Sequence, residues 1–587
     1  MAATIQGSKV NFKNIGTWFL YQTPENSILN TSLGAAAGCK NGWRSKGITI
    51  PPSATGEHTD KGVPHPNYHN TILLSGRENQ HSALTVLRKS QVMYLLPKLP
   101  TVAQTRAADM YTIKHHFPSS LALMESAANA FVKAFLEEDI ANDQRILIVC
   151  GPGNNGGDGL AVARLLRERS YLVDVVLMGS EDRLSPDAQA NLQRLGHQVT
   201  YLKNDDADVD LPSADIIIDA LFGTGLNRPV TGLAASVIEA INAADAPVYS
   251  IDLPSGLFAD GLPPKGAIVR AELVISFQRP KPAFFLPENN DYLRRWRSVD
   301  IGLDEDFLQS LQGQDFVLDK TVSQLVKRRS RYSHKGTYGH ALLLAGSRGK
   351  IGAAVLCARA CLRAGAGLLT AQVPGCGYDI FQSGIPEAMC LIDANADQLT
   401  ELPPLHPYSV VAIGPGIGQS VATADLLRSL LTTTDKPIVI DADALNLLAT
   451  DRTLLALLPP GAILTPHIKE FARLTGAAAN GEDRYDQARD FARQHQCIVV
   501  LKDAHTCITA PSGERYFNTS GNPGMATGGM GDVLTGIITG LLAQGYEPLE
   551  AALIGVYFHG RAGDAVAEYR GQAALLASDV AQALRIE

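Results

Sequence analysis

Apolar positions beyond about residue 101 follow two alternating periods. Short, unbroken apolar runs such as RILIVC (145–150) are typical of strands that are buried on both faces of a parallel sheet. Between these runs lie segments with helical spacing, such as SSLALMESAANAFVKAFLEE (119–138), which Ser119 or Ser120 is suited to cap. A second alternation of strand and helix starts at HALLLAGS (340–347) and runs to the end of the chain. The pattern predicts an α/β protein with two doubly wound domains, each built on a parallel sheet.

The alternation is absent or weak in two stretches. Residues 1–92 show no sustained helical or strand period, so we expect an extension without chemistry, either disordered or the product of a start codon placed too far upstream. Residues 306–335 are acidic and then basic, which predicts a solvated linker with a short helix. The first domain is therefore expected at 93–305 and the second at 336–587.

Composition narrows the possible partners. The chain has 51 Lys and Arg against 59 Asp and Glu, so its net charge of −8 gives no reason to expect nucleic acid or an anionic membrane. The 8 cysteines form no CxxC pair or zinc spacing, which favours a reduced, cytoplasmic compartment. No apolar run reaches the roughly 18 to 20 residues that span a bilayer.

Three polar, glycine-rich loops follow predicted strands in the first domain. They are GPGNNGGDG (151–159), DALFGTGLNRP (219–229) and DLPSG (252–256), and the ends of parallel strands meet at one edge of a sheet. The glycines would let the backbone approach a ligand and expose N–H groups to phosphate at a helix start. Tight turns are the alternative interpretation, because a glycine pattern alone is a weak signal. The amide and carboxylate groups of Asn154, Asn155, Asp158, Asp219 and Asp252 favour a ligand site.

The oxygen-bearing side chains at these strand ends suit a cation. Asn155, Asp219 and Ser255 could surround a monovalent or hard cation and so offset a pyrophosphate without Lys or Arg. One aspartate near the substrate could move a proton as a general acid–base.

Taken together, the three motifs resemble the NAD(P)H-hydrate epimerase family over roughly residues 100–305. The resemblance implies a Rossmann-like domain that interconverts the R and S hydrates of NADH and NADPH, with potassium held by Asn155, Asp219 and Ser255. Asp252 is the expected proton relay. The residues implied to bind the substrate are Asn154, Asn155, Gly156, Gly157, Asp158, Gly223, Thr224, Gly225, Leu226, Asn227, Arg228 and Pro229.

In the second half, ATGGMGD (526–532) precedes an apolar, small-residue helix. Backbone N–H groups of residues 528–531 can form an anion hole at that helix start. Asp532 could then take a proton from a hydroxyl while the phosphoryl group it attacks is held by the N–H groups. The alternative is that Asp532 merely caps the helix. KDAHT (502–506) adds a cation and a hydroxyl, and GPGIG (414–418) adds a further phosphate-like loop.

These loops are similar to those of the ribokinase-like superfamily. Within it, the set formed with DADALN, TPHIKE and NPGMATGGMGD resembles the ADP-dependent NAD(P)H-hydrate dehydratases over roughly residues 320–587. The resemblance implies that a ring hydroxyl of the S hydrate is phosphorylated from magnesium-bound ADP and that phosphate elimination restores the coenzyme, giving AMP and phosphate. The implied hydrate contacts are Ala353, Gly418, His467 and Asp532. The implied nucleotide contacts are Lys502, Asp503, Ala504, His505, Thr506 and Gly531.

Several alternatives stay open at this point. A ribokinase-like small-molecule kinase with an accessory nucleotide-binding domain would share Asp532, and the first domain could be a non-catalytic module. Considered without its motif, a histidine such as His467 is more often a polar core residue than a ligand contact. No residue separates ADP from ATP on physical grounds. Because relatives of both domains tend to assemble, a homo-oligomer is expected.

Overall fold

The structure is a computed structural model that describes residues 95–202 and 209–587, together with three short strands nearer the start of the chain. It divides into two compact units, Met1–Met93 and Tyr94–Glu587. In the first unit, strands β1 (Ala2–Thr4), β2 (Trp18–Tyr21) and β3 (Asn30–Leu33) pair antiparallel in the order β1-β3-β2. The predicted extension at residues 1–92 otherwise lies outside the described residues.

The second unit contains two sheets, of which the first is entirely parallel. Its strands are β4 (Arg145–Cys150), β5 (Leu172–Met178), β6 (Thr200–Leu202), β7 (Ile216–Ala220), β8 (Val248–Ile251), β9 (Leu273–Phe277) and β10 (Trp296–Val299). They run in the order β10-β9-β8-β7-β4-β5-β6. The chain leaves β4 toward β5 on one side and returns to β7 on the other, so a ligand crevice is expected between the ends of β4 and β7.

The helices that accompany this sheet begin where the sequence supplies caps. Ser119 accepts a hydrogen bond from the backbone N–H of Ala122 and caps its helix, which confirms one of the two predicted caps. A capping box formed by Thr101 and Gln104 begins the preceding helix. The helices are Val102–His116, Ser120–Phe135, Asn154–Glu168, Pro186–Arg194 and Leu233–Ala243.

The second sheet is larger and is parallel except at one strand. Its strands are β11 (Asp315–Leu318), β12 (His340–Leu344), β13 (Leu368–Val373), β14 (Met389–Ile392), β15 (Val410–Ile413), β16 (Ile438–Ile440), β17 (Ile463–Leu464), β18 (Ile498–Leu501), β19 (Cys507–Thr509) and β20 (Arg515–Asn518). The order is β11-β20-β19-β18-β17-β16-β15-β12-β13-β14, and β19 pairs antiparallel with both of its neighbours. Here the chain turns back between β12 and β15, which predicts a second crevice at their ends.

Helices cover this sheet in the doubly wound manner that the sequence predicts. They are Ile351–Arg363, Tyr378–Gly384, Val421–Thr433, Ala442–Thr450, Ile468–Thr475, Gly481–His495, Met530–Ala543, Pro548–Arg570 and Ala577–Ala583. Among the residues that the structure describes, no helix is both long and apolar enough to cross a bilayer.

The stretch predicted as a linker, 306–335, holds more regular structure than its charge pattern suggested. It contains most of the helix Glu305–Ser310 and all of β11, which forms an edge of the second sheet. The segment at the start of the second unit also reaches this edge, because the N–H of Leu99 donates to the carbonyl of Asp315 at 3.0 Å. Charged residues there pair with neighbours: Arg515 Nη2 lies 2.6 Å from Asp315 Oδ2. The solvated part of the stretch is therefore shorter than expected.

Candidate functional sites

The first glycine-rich loop is pressed against its neighbours. A Cβ on Gly156 would lie 1.8 Å from the carbonyl oxygen of Gly151, and one on Gly151 would lie 1.9 Å from that of Leu221. Packing alone therefore requires glycine at these two positions, in agreement with the tight-turn interpretation. The helix Asn154–Glu168 begins inside the motif, and its N-cap, Gly153, provides no side-chain bond to the first-turn N–H groups. Those groups remain suited to an anion.

Asp219 is fully buried at the end of β7 and holds two neighbouring segments together. Its carboxylate accepts hydrogen bonds from Ser255 Oγ at 2.6 Å, from the Ser255 N–H at 2.8 Å and from Ser250 Oγ at 2.9 Å. The sheet register already pairs Asp219 with Ser250. Burial raises the pKa of Asp219, and these hydrogen bonds oppose that shift. The side chain therefore fixes the position of Ser255.

The predicted cation ligands meet at the loop Leu221–Gly223, which lies between them. The N–H of Phe222 donates to Ser255 Oγ at 2.8 Å. On the other side, Asn155 Oδ1 lies 3.1 Å from the position that a Cβ on Gly223 would take. Asn155 is buried, and its Nδ2 has no hydrogen-bond partner among the described residues. This grouping of amide, hydroxyl and carboxylate oxygens fits the chemistry of a hard cation.

Asp252, the expected proton relay, follows β8 with a backbone φ of +65°, which is unusual for a residue other than glycine. Its Oδ1 lies 2.8 Å from Lys281 Nζ and accepts a hydrogen bond from the N–H of Phe277 at 2.9 Å. Lys281 is only 3% exposed, so this ion pair is shielded from water. Sequence reasoning missed Lys281, because QRPKP (278–282) matches no motif.

Two further carboxyl groups, Asp158 and Asp109, are within the electrostatic influence of Asp252. Burial raises the pKa of Asp158 well above its usual range, and the charges of Asp252 and Asp109 add to the shift. Burial and the Asp252 charge raise the pKa of Asp109 to about 6, against the opposing effects of Lys281 and Arg106. Because burial and like charges favour the protonated forms of Asp109 and Asp158, these two carboxyl groups are suited to proton transfer. Asp109 was not predicted, because it stands in an ordinary helix.

The loop 223–229, which is expected to bind the substrate, touches neighbouring side chains through its glycines. Arg106 Nη2 lies 3.5 Å from the Cβ position of Gly225, and Gly223 touches Asn155. Thr224 and Leu226 are half-buried in the loop. The remaining members, namely Asn227, Arg228 and Pro229, are exposed. The start of the loop therefore lies beside Asn155 and Arg106, and its end lies at the surface.

Asp532 lies in the first turn of the helix Met530–Ala543, and its position excludes the simple capping role. The N-cap is Gly529, at φ +91°, and no side chain caps the helix. Burial and the neighbouring Asp441 raise the pKa of Asp532 to about 7, Asp443 adds to the shift, and Lys502 opposes it. A carboxylate that loses its proton near pH 7 is suited to act as a general base.

Lys502 lies over the start of this helix. Its Nζ is 2.9 Å from Asp441 Oδ1 and 3.1 Å from the position of a Cβ on Gly531. Asp441 is 1% exposed, and its Oδ2 accepts a hydrogen bond from Thr535 Oγ1 at 2.7 Å. A cation above a helix N-terminus is a setting that holds phosphate. Asp441 begins the DADALN motif but was not singled out from the sequence.

A cavity of about 420 Å³ lies at the crevice between β12 and β15 and brings Ala353 and Asp532 together. Gly418 lies beside it, because its N–H donates at 2.9 Å to Asp443, which lines the cavity. Although burial raises the pKa of Asp443, hydrogen bonds from Gln419, Gly418 and Lys350 bring it below the usual range. The full lining is Gly349, Lys350, Gly352, Ala353, Gly416, Ala442, Asp443, Asn446, Glu470 and Asp532.

His467 is placed differently from the other residues expected to contact the hydrate. Its Nδ1 accepts hydrogen bonds from the N–H groups of Lys469 at 3.1 Å and Glu470 at 3.4 Å, so it caps the helix Ile468–Thr475. Burial lowers the pKa of His467, which keeps the ring a neutral acceptor. It lines the larger cavity beside Lys502 and is absent from the lining of the smaller one.

The larger cavity, of about 1390 Å³, brings together all the predicted nucleotide contacts, which are Lys502, Asp503, Ala504, His505, Thr506 and Gly531. Asp503 is held by Arg484, whose Nη1 lies 3.4 Å from Asp503 Oδ2. His559 also lines it; burial, together with the charge of Lys502, lowers the pKa of His559 to about 4. His559 Nε2 has no hydrogen-bond partner in the described part of the chain. No motif marked this histidine, which lies within a long helix.

Comparison with known proteins gives matches along most of the chain. Residues 341–585 match the family described as NAD(P)H-hydrate dehydratase, and residues 120–283 match that described as YjeF-related protein N-terminus. A bifunctional NAD(P)H-hydrate repair enzyme Nnr from Moorella thermoacetica is 40% identical over 510 residues, covering 83% of this chain and 95% of that protein. The Escherichia coli protein of the same name is 34% identical and covers 75% of this chain and 84% of its own length.

Among solved structures, an ADP/ATP-dependent NAD(P)H-hydrate dehydratase from Bacillus subtilis, co-crystallised with ATP and Mg2+, is 33% identical. The match covers 45% of this chain and 94% of that one, with a TM-score of 0.40.

Proposed function

Because the chain belongs to the family of bifunctional NAD(P)H-hydrate repair enzymes, we propose that it restores hydrated NADH and NADPH in two steps. The first domain interconverts the R and S hydrates, and the second dehydrates the S hydrate at the expense of ADP, with magnesium on the nucleotide. The observation that carries the proposal is the position of Asp532, a carboxylate with its pKa raised to about 7, in the first turn of a helix whose start has no side-chain cap and lies under Lys502.

In the second domain, Asp532 takes the proton of the hydrate's ring hydroxyl. The hydroxyl oxygen forms a bond to the terminal phosphorus of ADP as the bond from that phosphorus to the bridging oxygen breaks, which releases AMP. N–H groups at the start of Met530–Ala543 and the ammonium of Lys502 stabilise the charge on the transferred group. Loss of phosphate from the ring carbon, with loss of a proton from its neighbour, restores the double bond of the coenzyme.

In the first domain, two carboxyl groups with raised pKa, Asp109 and Asp158, lie within the electrostatic influence of Asp252. We infer that Asp252 relays the proton, since Lys281 and the N–H of Phe277 fix its carboxylate in place. Asn155, Asp219 and Ser255 would hold potassium, which would offset the pyrophosphate charge of the substrate. The loops 154–158 and 223–229 would bind the substrate around them.

The cellular setting and the assembly belong to the same proposal. We infer a cytoplasmic enzyme, in keeping with the free thiols of the described cysteines, and expect it to form a homo-oligomer. The domains would divide at 93–305 and 336–587.

Product analysis distinguishes this function from that of a small-molecule kinase. Purified S hydrate is incubated with ADP or ATP, and coenzyme absorbance and the phosphorus NMR spectrum are followed together. We expect reduced coenzyme, AMP and inorganic phosphate in equal amounts when ADP is supplied. A stable phosphorylated hydrate, or turnover without nucleotide, would contradict the proposal.

A further inference from the structure

The large cavity is bounded by two walls that come from different sheets. One wall holds the predicted nucleotide contacts of the second sheet, and the other holds the segment 284–287 and Trp296 of the first. Small-molecule pockets commonly enclose about 300–1,000 Å³. At about 1390 Å³, this cavity is larger than that, and it extends from Lys502 to the wall formed by the first domain.

The wall from the first domain is aromatic where it meets the nucleotide loop. The ring of His505 lies 5.2 Å from that of Phe285 and 5.8 Å from that of Trp296, centroid to centroid. Phe285 and Trp296 are themselves 5.7 Å apart and nearly perpendicular. Burial lowers the pKa of His505, so the group is uncharged at neutral pH. We call Phe285 and Trp296 of the first domain, together with His505 of the nucleotide loop, the aromatic wall.

Contacts from the second domain hold the aromatic wall in place. Tyr485 Oη donates to the carbonyl of Phe285 at 2.6 Å, and Phe285 packs on Phe517 with ring centroids 4.9 Å apart. Nearby, the N–H of Gly481 donates to Glu288 at 2.8 Å. Contacts within the protein therefore fix the position of the wall, as a preorganised binding surface requires.

The two ends of the cavity differ in chemistry. Lys502 and the start of the helix Met530–Ala543 suit phosphates, whereas the partly exposed rings of Trp296 and His505 can stack on a nucleobase. Phe285 is only 2% exposed and supports these two rings from behind. We propose that the nucleotide site is composite, with Trp296 of the epimerase domain forming a surface on which the base of the bound nucleotide stacks. This inference rests on the proposed function of the second domain, and it makes nucleotide affinity there depend on the first domain.

Tryptophan fluorescence provides a direct test, because the chain contains 3 tryptophans: Trp18, Trp43 and Trp296. In the full chain carrying Trp18→Phe and Trp43→Phe, Trp296 is the sole reporter. ADP is titrated while fluorescence and, in a parallel sample, binding heat are recorded. We expect quenching of Trp296 that saturates with the same Kd as the calorimetric signal.

Substitution of Trp296 then measures the contribution of the stacking. Loss of one base–aromatic stack should raise the Kd for ADP about 5- to 150-fold in Trp296→Ala, and much less in Trp296→Phe, which keeps a ring. Epimerisation should keep its wild-type rate in both variants. The matched control is Tyr332→Ala, which removes an aromatic ring that is 94% exposed and does not line the cavity, and its Kd should be unchanged.

The outcomes separate this inference from the proposed function. Calorimetric binding of ADP without a change in Trp296 fluorescence would overturn the composite site and leave the dehydratase assignment intact. So would an unchanged Kd in Trp296→Ala, or an equal loss of affinity in Tyr332→Ala. Absence of any binding heat would overturn the nucleotide-dependent function itself, and the composite site with it. Because the fluorescence measurement uses the native Trp296, it stands even where Trp296→Ala fails to fold.

Discussion

Replacing Asp532 with asparagine should remove the dehydratase activity and stabilise the protein at the same time. The pKa of Asp532 is raised from 3.8 to about 7, so the ionised form is disfavoured in the folded state. The difference is about 3 pKa units, and at about 1.36 kcal/mol per unit it sets an upper value near 4 kcal/mol for the destabilisation. A neutral amide of the same shape does not carry this penalty.

The pH dependence of this stabilisation follows from the number of protons bound at Asp532 in the folded and unfolded states. Between about pH 4 and pH 7 the folded state binds more protons at Asp532 than the unfolded state, so the free energy of unfolding falls as the pH rises. The gain in Asp532→Asn should therefore be small near pH 4 and reach its full value above pH 7. We would measure thermal unfolding of both proteins across this range, without nucleotide or hydrate.

Asp443→Asn is the matched control, because the pKa of Asp443 is shifted in the opposite direction. Its carboxylate accepts from Lys350 Nζ at 3.0 Å and from the N–H of Gly418 at 2.9 Å, and its pKa is lowered. This group contributes stability above its unfolded pKa that is lost as the pH falls, so Asp443→Asn should destabilise at pH 7. An Asp532→Asn protein that is no more stable than wild type at pH 8, or equally active, would refute the reasoning.

Three further predictions concern the first domain. Asp252→Asn should slow interconversion of the R and S hydrates about 10²- to 10⁴-fold and leave dehydration of the S hydrate unchanged. Interconversion is followed by chromatography without nucleotide, and a wild-type rate would exclude the relay. Gly156→Ala should destabilise the first domain by about 3 kcal/mol or more in thermal unfolding, since its Cβ would lie 1.8 Å from the Gly151 carbonyl oxygen, whereas Gly153→Ala, with open space around it, should cost less than about 1 kcal/mol. Exchange of potassium for tetramethylammonium should slow epimerisation by the wild-type protein, whereas the rate of Asn155→Leu should be the same in both buffers. Equal wild-type rates in the two buffers would count against the cation site.

The sequence predicted much of the fold, because apolar runs and helical spacing are local signals. The two doubly wound sheets and the cap at Ser119 are confirmed. The antiparallel strand β19 and the edge strand β11 were not foreseen, because short strands in a charged context take their identity from the neighbours they pair with.

The candidate sites likewise include residues that local sequence signals predict and residues that only tertiary packing brings together. Glycine-rich segments predicted the loops around Asn155 and Asp532, because consecutive residues determine the backbone conformation of such loops. Asp109, Lys281 and His559 reach their sites only through tertiary packing, from helices or loops without a motif. Which cavity a residue lines is likewise set by the fold.

A mixture of R and S hydrates tests the central claim most directly. The purified protein is incubated with the mixture, potassium, magnesium and ADP, and the absorbance of reduced coenzyme is followed to completion. The account predicts recovery of both epimers in the wild-type protein, recovery of little beyond the S fraction in the same period in Asp252→Asn, and none in Asp532→Asn. Failure of the wild-type protein to restore coenzyme from either epimer, with ADP or with ATP, would contradict it.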